Sequence, residues 1–196
     1  GEWTYWYPNG VVWKQGSYKD NLKHGLWSFY TEESQLVMQG KFENGKEEGL
    51  WQSWYDSGEQ KDKGYYTNGL MNGKWEGWFL NGNKDYVGEY KNGLKDGIWE
   101  HWHENGKQEL LETYMLVPKD KKKYYKDRNN KFMEVNDQYM LSVKEGAYFE
   151  WYENGKPKTD GFFVNNEQDG KWTYYYENGN KMYEQTMVGG RQEGKV

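Results

Sequence analysis

Residues 73–96 have the sequence GKWEGWFLNGNKDYVGEYKNGLKD, and variants of this 24-residue stretch recur along nearly the whole chain. Its first residue belongs to a set of glycines that are 24 residues apart, except for one spacing of 49. The set consists of Gly1, Gly25, Gly49, Gly73, Gly97, Gly146, Gly170 and Gly194. A fixed period of this size is typical of a repeat array, in which stacked neighbouring units bury a shared core.

Aromatic residues hold constant places when each unit is numbered from its glycine. Place three carries Trp3, Trp27, Trp51, Trp75, Trp99, Tyr148 and Trp172. Place six carries Trp6, Tyr30, Trp54, Trp78, Trp102, Trp151 and Tyr175. Place eighteen carries Tyr18, Phe42, Tyr66, Tyr90, Tyr114 and Phe163. This aromatic content excludes a disordered chain, because disordered chains are poor in such residues.

Asn-Gly pairs follow both aromatic segments of a unit, as in Asn81-Gly82 at places nine and ten and Asn92-Gly93 at places twenty and twenty-one. An Asn-Gly pair suits a type I′ turn, in which both central residues need a positive φ. Each unit is therefore expected to form two antiparallel strands. The predicted fold is all-β: an elongated single-layer antiparallel meander of stacked β-hairpins that depend on one another, because an isolated hairpin is marginally stable.

Side chains alternate across a strand, so the rows at places three and six are expected on opposite faces of the sheet. At least one of the two aromatic rows should then stay partly exposed. A further glycine at place sixteen, as in Gly64, interrupts the second strand of most units. We expect it to leave room for a neighbouring aromatic ring to lie flat over the backbone.

The chain is interpreted as one array over residues 1–196, with units starting near residues 1, 25, 49, 73, 97, 122, 146 and 170 and a stub at 194. The unit at 122 is found by counting back 24 residues from Gly146. It is degenerate, because it keeps Tyr124 at place three but has lost its glycines. The one extra residue in the long spacing is expected in a loop around Pro118.

Charge is unevenly distributed along the chain. Residues 119–131 contain seven Lys/Arg and two Asp, so the rest of the chain carries −10 against a total of −5. The basic candidates are Lys119, Lys121, Lys122, Lys123, Lys126, Arg128 and Lys131. They form either a solvated loop or a contact site for an acidic partner surface. Nucleic acid is not an expected partner, because the chain as a whole is acidic.

Several function classes find no support in the residues. There is no cysteine, and no apolar run approaches the ~20 residues of a transmembrane helix. His101 and His103 share a face but stand where other units have aromatic rings, so we interpret them as packing substitutes and expect no metal site. No nucleophile, phosphate-binding loop or paired catalytic carboxylates are recognisable. We expect no catalytic residues, no cofactor and no enzymatic activity.

The runs Gly25-Leu26-Trp27, Gly97-Ile98-Trp99 and Gly170-Lys171-Trp172, each continuing toward an Asn-Gly turn, resemble the MORN-repeat variant of bacterial proteins, which includes the YwqK-like antitoxin family. The resemblance covers essentially the whole chain. It implies an elongated sheet of successive hairpins and a role as an antitoxin, an immunity protein or a scaffold. Choline- and glucan-binding cell-wall repeats are also aromatic hairpins, but the 24-residue spacing and doubled Asn-Gly turns depart from their pattern.

The leading functional prediction is a non-enzymatic protein-binding array, such as an antitoxin or immunity-type partner of a toxin. Its candidate contact residues are the place-six row, because Tyr and Trp dominate interface energetics. In the alternative interpretation, the same rings serve only to pack the sheet. The alternatives are a scaffold or membrane-peripheral module that touches anionic lipid through the basic segment, and a cell-wall carbohydrate- or choline-binding repeat. A dimer through exposed edge strands is also considered.

Overall fold

The computed structural model describes residues 1–126 and 132–193, with side chains described for residues 1–120 and 139–193. This part of the chain forms one sheet of fifteen antiparallel strands that lie side by side in sequence order. The strands are β1 (Glu2–Trp6), β2 (Val12–Lys19), β3 (Leu22–Tyr30), β4 (Leu36–Glu43), β5 (Lys46–Trp54), β6 (Gln60–Thr67), β7 (Leu70–Trp78), β8 (Lys84–Lys91), β9 (Leu94–Trp102), β10 (Gln108–Lys126), β11 (Phe132–Trp151), β12 (Pro157–Val164), β13 (Glu167–Tyr175), β14 (Lys181–Val188) and β15 (Arg191–Glu193). The described residues include no helix. The predicted fold class is confirmed.

The two Asn-Gly turns of a unit differ in conformation. At places twenty and twenty-one both residues have positive φ, 51° at Asn92 and 81° at Gly93, as the type I′ prediction requires. At places nine and ten only the glycine does, and Gly10 N–H donates to the Tyr7 carbonyl over 3.0 Å. The type I′ prediction is therefore wrong for this turn. Its loop is longer, because Tyr7 N–H pairs with Val11, and it needs one left-handed residue instead of two.

The rings at places three and eighteen alternate along one face of the sheet, which we call the ladder face. Successive rings meet edge to face, as between Phe42 and Trp51, whose centroids are 5.0 Å apart, and between Tyr66 and Trp75 at 5.3 Å. Trp27 is completely buried in this row. A single-layer sheet has no second layer to cover its core, so these neighbouring rings bury one another.

The glycine at place sixteen lies beneath the tryptophan of the next unit, as predicted. A Cβ atom on Gly64 would be 2.1 Å from Cδ2 of Trp75, and Gly40 and Trp51 have the same relation. The indole also makes a hydrogen bond, since Trp75 Nε1 donates to the Tyr65 carbonyl over 3.2 Å. Only glycine at this place lets the ring approach the backbone so closely.

The glycine at place one produces a bulge at the start of each unit. Gly40 pairs with Trp51 while Lys41 pairs with Glu48, so Gly49 and the residue after it are extra on their strand. Gly49 has a φ of 71°, which glycine adopts without strain. Because two residues are inserted, the alternation of side chains stays in phase. Places three and six both follow the bulge and are three residues apart on one strand, so they lie on opposite faces, as predicted.

The 49-residue spacing differs from the prediction of a degenerate unit at 122–145. β10 runs straight through Pro118, which pairs with Met140, so the expected loop is absent. Residues 122–126 and 132–145 are parts of β10 and β11 and form no hairpin with a neighbouring unit. The regular count fails here because the pairing between strands, and not the chain length, decides which residues correspond.

The long spacing is a lengthened hairpin inside one unit. Tyr114 pairs with Lys144 as Tyr90 pairs with Lys95 in a regular unit. Residues 116–142 stand where the regular unit has only its two turn residues. This difference accounts for the 25 residues by which the spacing exceeds 24. We call the described parts of the extension, residues 116–126 and 132–142, the arm.

Candidate partner-binding surfaces

The ladder face is occupied by contacts within the sheet. Besides the buried rings, the residue at place seven links adjacent units, because Tyr55 Oη donates to the Trp78 carbonyl over 2.8 Å. Tyr7 and Tyr152 make the same bond to their neighbours. These side chains hold the array together and leave few groups on this face for a partner.

The two histidines belong to the same packing scheme. His103 Nε2 lies 2.9 Å from the Trp151 carbonyl, the position that a tyrosine hydroxyl takes in other units. The ring centroid of His101 lies 6.2 Å from those of Tyr86 and Trp99, and burial, followed by the nearby charge of Lys95, lowers its pKa. Both histidine rings thus lie among the contacts between neighbouring strands, where other units have aromatic rings. In the described part of the chain, no three His, Asp or Glu side chains are arranged to hold a metal ion.

The opposite face carries places two, four, six, fifteen and seventeen, and we call it the open face. The place-six row lies here, where six rings are partly buried and Trp6 is 60% exposed. The partly buried members are Tyr30, Trp54, Trp78, Trp102, Trp151 and Tyr175. The structure thus brings all seven predicted contact residues into one row. Their role in binding stays a prediction.

Long polar side chains partly cover the place-six rings. Lys63 Nζ is 5.0 Å from the centroid of the Trp78 ring, and Gln15 Nε2 donates to Tyr30 Oη over 3.1 Å. A hydrogen bond with Asp160, followed by partial desolvation, raises the pKa of Tyr175. These contacts fix the orientation of the rings while leaving part of each ring open to solvent.

A second row on the open face is the more exposed one, and the sequence analysis did not identify it. It consists of large apolar residues at places two and seventeen that are between 42% and 59% exposed: Leu26, Leu50, Tyr65, Ile98 and Phe162. Leu50 and Tyr65 are cross-strand partners. The available signal was position, because place two directly precedes the buried tryptophan and must face the other way. We call these five residues the apolar row.

The residues between the two rows are mostly small or polar. Ser28 and Thr173 are buried, and Glu76 is buried among three lysines. Glu76 carboxylate oxygens lie 2.8 Å from Lys74 Nζ and 3.2 Å from Lys63 Nζ. The hydrogen bond from Lys74 is the main cause that lowers the pKa of Glu76. The open face therefore has a mostly polar strip, in which lysines neutralise Glu76, flanked by an aromatic row and an apolar row.

The basic segment lies on the arm. Lys119 is exposed on β10, and the backbone of Lys121, Lys122, Lys123 and Lys126 continues the same strand. Arg128 and Lys131 lie outside the described residues. Lys119 faces the same side as the apolar row, because it is six residues from Thr113, which pairs with Ile98. Lys119 also lies beyond the end of the regular strands, because β10 pairs with β9 no further than Tyr114.

Taken together, the sheet and its two faces define a single-layer array of β-hairpin repeats. Four segments of the chain, residues 1–20, 95–114, 144–165 and 168–188, match the family model of the MORN repeat variant. The resemblance seen in the sequence is confirmed for these segments. No curated protein matches the chain. MORN repeats are consistent with a protein that binds other proteins or membranes.

The described residues contain no helix that is long and apolar enough to cross a membrane.

Proposed function

We propose that this chain is a non-enzymatic protein-binding array that contacts its partner through the open face. The observation that carries the proposal is the apolar row, because its side chains are about half exposed although they are large and apolar. Leu50 and Tyr65 lie side by side as cross-strand partners, and charged residues such as Lys41 and Lys74 alternate with the apolar members along the row. Large apolar side chains exposed between polar ones on one face are typical of an interaction site. The place-six rings beside it add the residue types that dominate interface energetics.

The two faces of the sheet differ in how far their side chains take part in packing, and this difference supports the proposal. Burial of the ladder-face rings and the glycine–tryptophan contacts account for the cohesion of the sheet. Leu26 and Ile98 contribute little to that cohesion, since more than half of each side chain is exposed. Residues that the fold does not need, repeated along one face, are available for a partner.

The test is a selection of displayed protein fragments from the source genome against the chain. Recovered binders are then measured against the Leu50→Ser/Ile98→Ser double variant and a matched Lys46→Ser/Lys91→Ser control, which changes exposed residues at the ends of β5 and β8. We expect about tenfold weaker binding to the first, corresponding to about 1.4 kcal/mol, and no change with the second. Binders that do not distinguish the double variant from the unaltered chain would refute the open face as the contact surface.

We further propose that the partner is a toxin and that the chain acts as its antitoxin or immunity protein. The support is the resemblance of the repeats to the variant found in the YwqK-like antitoxin family. A recovered partner is expected to arrest growth when expressed alone and to be harmless when expressed with the chain. Co-expression with the Leu50→Ser/Ile98→Ser variant should restore the arrest, and a partner that is harmless by itself would argue against this assignment.

A membrane-peripheral module is the second candidate, because Lys119 is exposed and the neighbouring positions of β10 are rich in lysine. Flotation with vesicles that contain anionic lipid tests it. Binding that depends on lipid charge and is lost in Lys119→Glu would support it, and indifference to charge would remove it.

A further inference from the structure

The arm leaves the sheet with both of its backbone edges open. β10 pairs with β9 no further than Tyr114, and β11 begins to pair with β12 only at Gly146. Between these points and the tip, the two strands pair with each other. Within the described residues, no third strand lies beside the arm. Open edges of this kind are templates for a further strand.

The two edges of the arm are not equivalent. Lys144 N–H and C=O both bond to Asn166 of the β12–β13 turn, at 2.7 and 3.0 Å, so they point toward β12. By the alternation of an antiparallel strand, the backbone groups of Ser142 and Met140 point to the same side. On the opposite edge Pro118, the cross-strand partner of Met140, has no N–H to offer. The β11 edge is therefore the one able to accept a strand.

An apolar notch lies beside this edge. Its volume is about 530 Å³, and its apolar wall is made by Met115, Val117, Leu141 and Val143. The turn at 165–166 forms the other wall. The notch exists because β12 ends at Val164, whereas the neighbouring strand β11 extends past the end of β12 into the arm. An added strand would occupy the space that β12 occupies alongside the regular part of β11.

Charge identifies what such a strand must carry. Lys119 and Glu145 both line the notch. Lys119 is exposed, whereas the Glu145 carboxylate already accepts a hydrogen bond from Asn165 N–H over 2.7 Å. Beyond Lys119, the backbone of β10 continues through Lys121, Lys122, Lys123 and Lys126, and Asp120 is the one acidic residue of 119–126. With Glu134 and Asp137 of β11 counted, residues 119–126 and 132–140 of the arm carry five Lys and three acidic residues, a net charge of +2. Carboxylates on a strand beside β11 would lower the repulsion among these lysines.

We infer that the β11 edge of the arm binds an extended acidic segment of a partner protein by β-strand addition. The segment runs antiparallel to β11, pairs with the backbone of Ser142 and Met140, places apolar side chains in the notch and directs carboxylates toward Lys119. In this mode the main chain supplies affinity, and alternate side chains supply specificity. The inference rests on the proposed protein-binding function and names a second contact site, separate from the open face.

The arrangement favours a polypeptide over a lipid surface or a nucleic acid. Backbone groups of Ser142 and Met140 lie next to the apolar notch, and only a peptide can satisfy both features at once. A duplex or a membrane would use the lysines alone. Binding of a nucleic acid duplex and binding of a membrane are the two competing outcomes of the test.

The probe is a fluorescein-labelled peptide with the core Leu-Thr-Leu-Thr-Glu-Thr-Glu, measured by anisotropy with the full chain. A peptide with Lys in place of each Glu is the matched control. We expect binding of the acidic peptide, about tenfold weaker binding with Lys119→Glu, and a similar loss with Leu141→Ser. The Lys46→Glu variant, which makes the same charge change at the exposed first residue of β5, should bind normally. Hydrogen exchange of the Met140 and Ser142 amides should slow when the peptide is bound.

Three results would overturn the inference: equal binding of both peptides, unchanged binding by Lys119→Glu, or Lys119-dependent binding of anionic vesicles or a DNA duplex without peptide binding. Failure of the proposed function is distinguishable from failure at the arm. The Leu50→Ser/Ile98→Ser variant should bind the acidic peptide normally. Peptide binding at the arm would therefore still be observed if no partner bound the open face.

Discussion

The regular units and the unit that contains the arm solve one packing problem with different residues. In a regular unit Gly64 lies beneath Trp75, and the ring contacts the backbone directly. In the unit with the arm, Glu112 stands at the place of the glycine and Tyr148 at that of the tryptophan, and the two are cross-strand partners. A side chain on the first residue would collide with an indole on the second. The two places therefore have to change together.

The substituted pair is held by charge as well as by packing. Glu112 is buried, and its carboxylate oxygens lie 2.7 Å from Lys144 Nζ and 3.5 Å from Lys95 Nζ. Tyr114 Oη donates to the same carboxylate over 2.8 Å. Burial opposes ionisation, but the bonds from Lys144 and Tyr114 outweigh it and hold the pKa of Glu112 below its usual range. We call this group the Glu112 node.

The largest expected effect is on the regular ladder. Trp75→Ala removes a buried ring with edge-to-face neighbours on both sides, and it should lower the free energy of unfolding by about 4 kcal/mol. Trp78→Ala on the open face is the matched control and should cost about 1 kcal/mol, since that ring is only partly buried. Urea unfolding measures both. Similar losses would mean that the open face also carries the cohesion of the sheet.

The next effect concerns the glycine beneath the ring. Gly64→Ala would put a Cβ 2.1 Å from Trp75, and the resulting displacement should cost about 3 kcal/mol. In Gly49→Ala the new Cβ meets no atom within 4 Å but the residue has a φ of 71°, so only about 1 kcal/mol of backbone strain is expected. Thermal or urea unfolding compares the two. If Gly49→Ala proved the more damaging, the bulge and not the ring contact would be the critical feature.

The Glu112 node gives a smaller effect that depends on pH. Glu112→Gln should cost about 2 kcal/mol at neutral pH, because Lys144 loses its buried partner. The folded pKa of Glu112 is lowered, so its contribution is fully present above the unfolded pKa of about 4.3 and disappears as the pH falls through the folded value. Urea titrations of both proteins at several pH values measure this difference.

A matched control for the node is Glu43→Gln, which removes an exposed pair with Lys41 and should change stability by less than about 0.5 kcal/mol. A gap between Glu112→Gln and the unaltered protein that stays constant down to pH 3 would show that the carboxylate is not the stabilising form.

The repeated contacts were predictable from the sequence because they recur with the period. The glycine at place sixteen and the tryptophan at place three keep the same spacing in unit after unit, as in Gly40 and Trp51, so one contact explains many positions. The apolar row was missed because place two varies, with Lys74 standing between Leu50 and Ile98 in the sequence of units. Exposure of a side chain is decided by the whole sheet, which a single unit does not reveal.

The arm was misread for a different physical reason. Counting by 24 assumes that each stretch of chain crosses the sheet at a regular interval, whereas Tyr114 and Lys144 are neighbours through pairing, despite being 30 residues apart. The local similarity of Val143-Lys144-Glu145 to Leu94-Lys95-Asp96 was the signal that could have located the end of the extension. Similarly, the turn at Asn9-Gly10 depends on the length of its loop, which the Asn-Gly pair alone does not fix.

Replacing residues 116–142 by Asn-Gly would convert the lengthened hairpin into a regular one and restore the 24-residue spacing. We expect the free energy of unfolding to change by less than about 1 kcal/mol, since a two-stranded ribbon contributes little stability by itself. Replacement by Asn-Gly-Gly is the control, and its extra residue should disturb the type I′ geometry and cost more. Urea unfolding of the two variants measures the difference. If removing the arm destabilised the sheet by several kcal/mol, the arm would be a structural part of the array. If stability is retained while the acidic peptide no longer binds, the arm contributes to partner binding and not to the stability of the sheet.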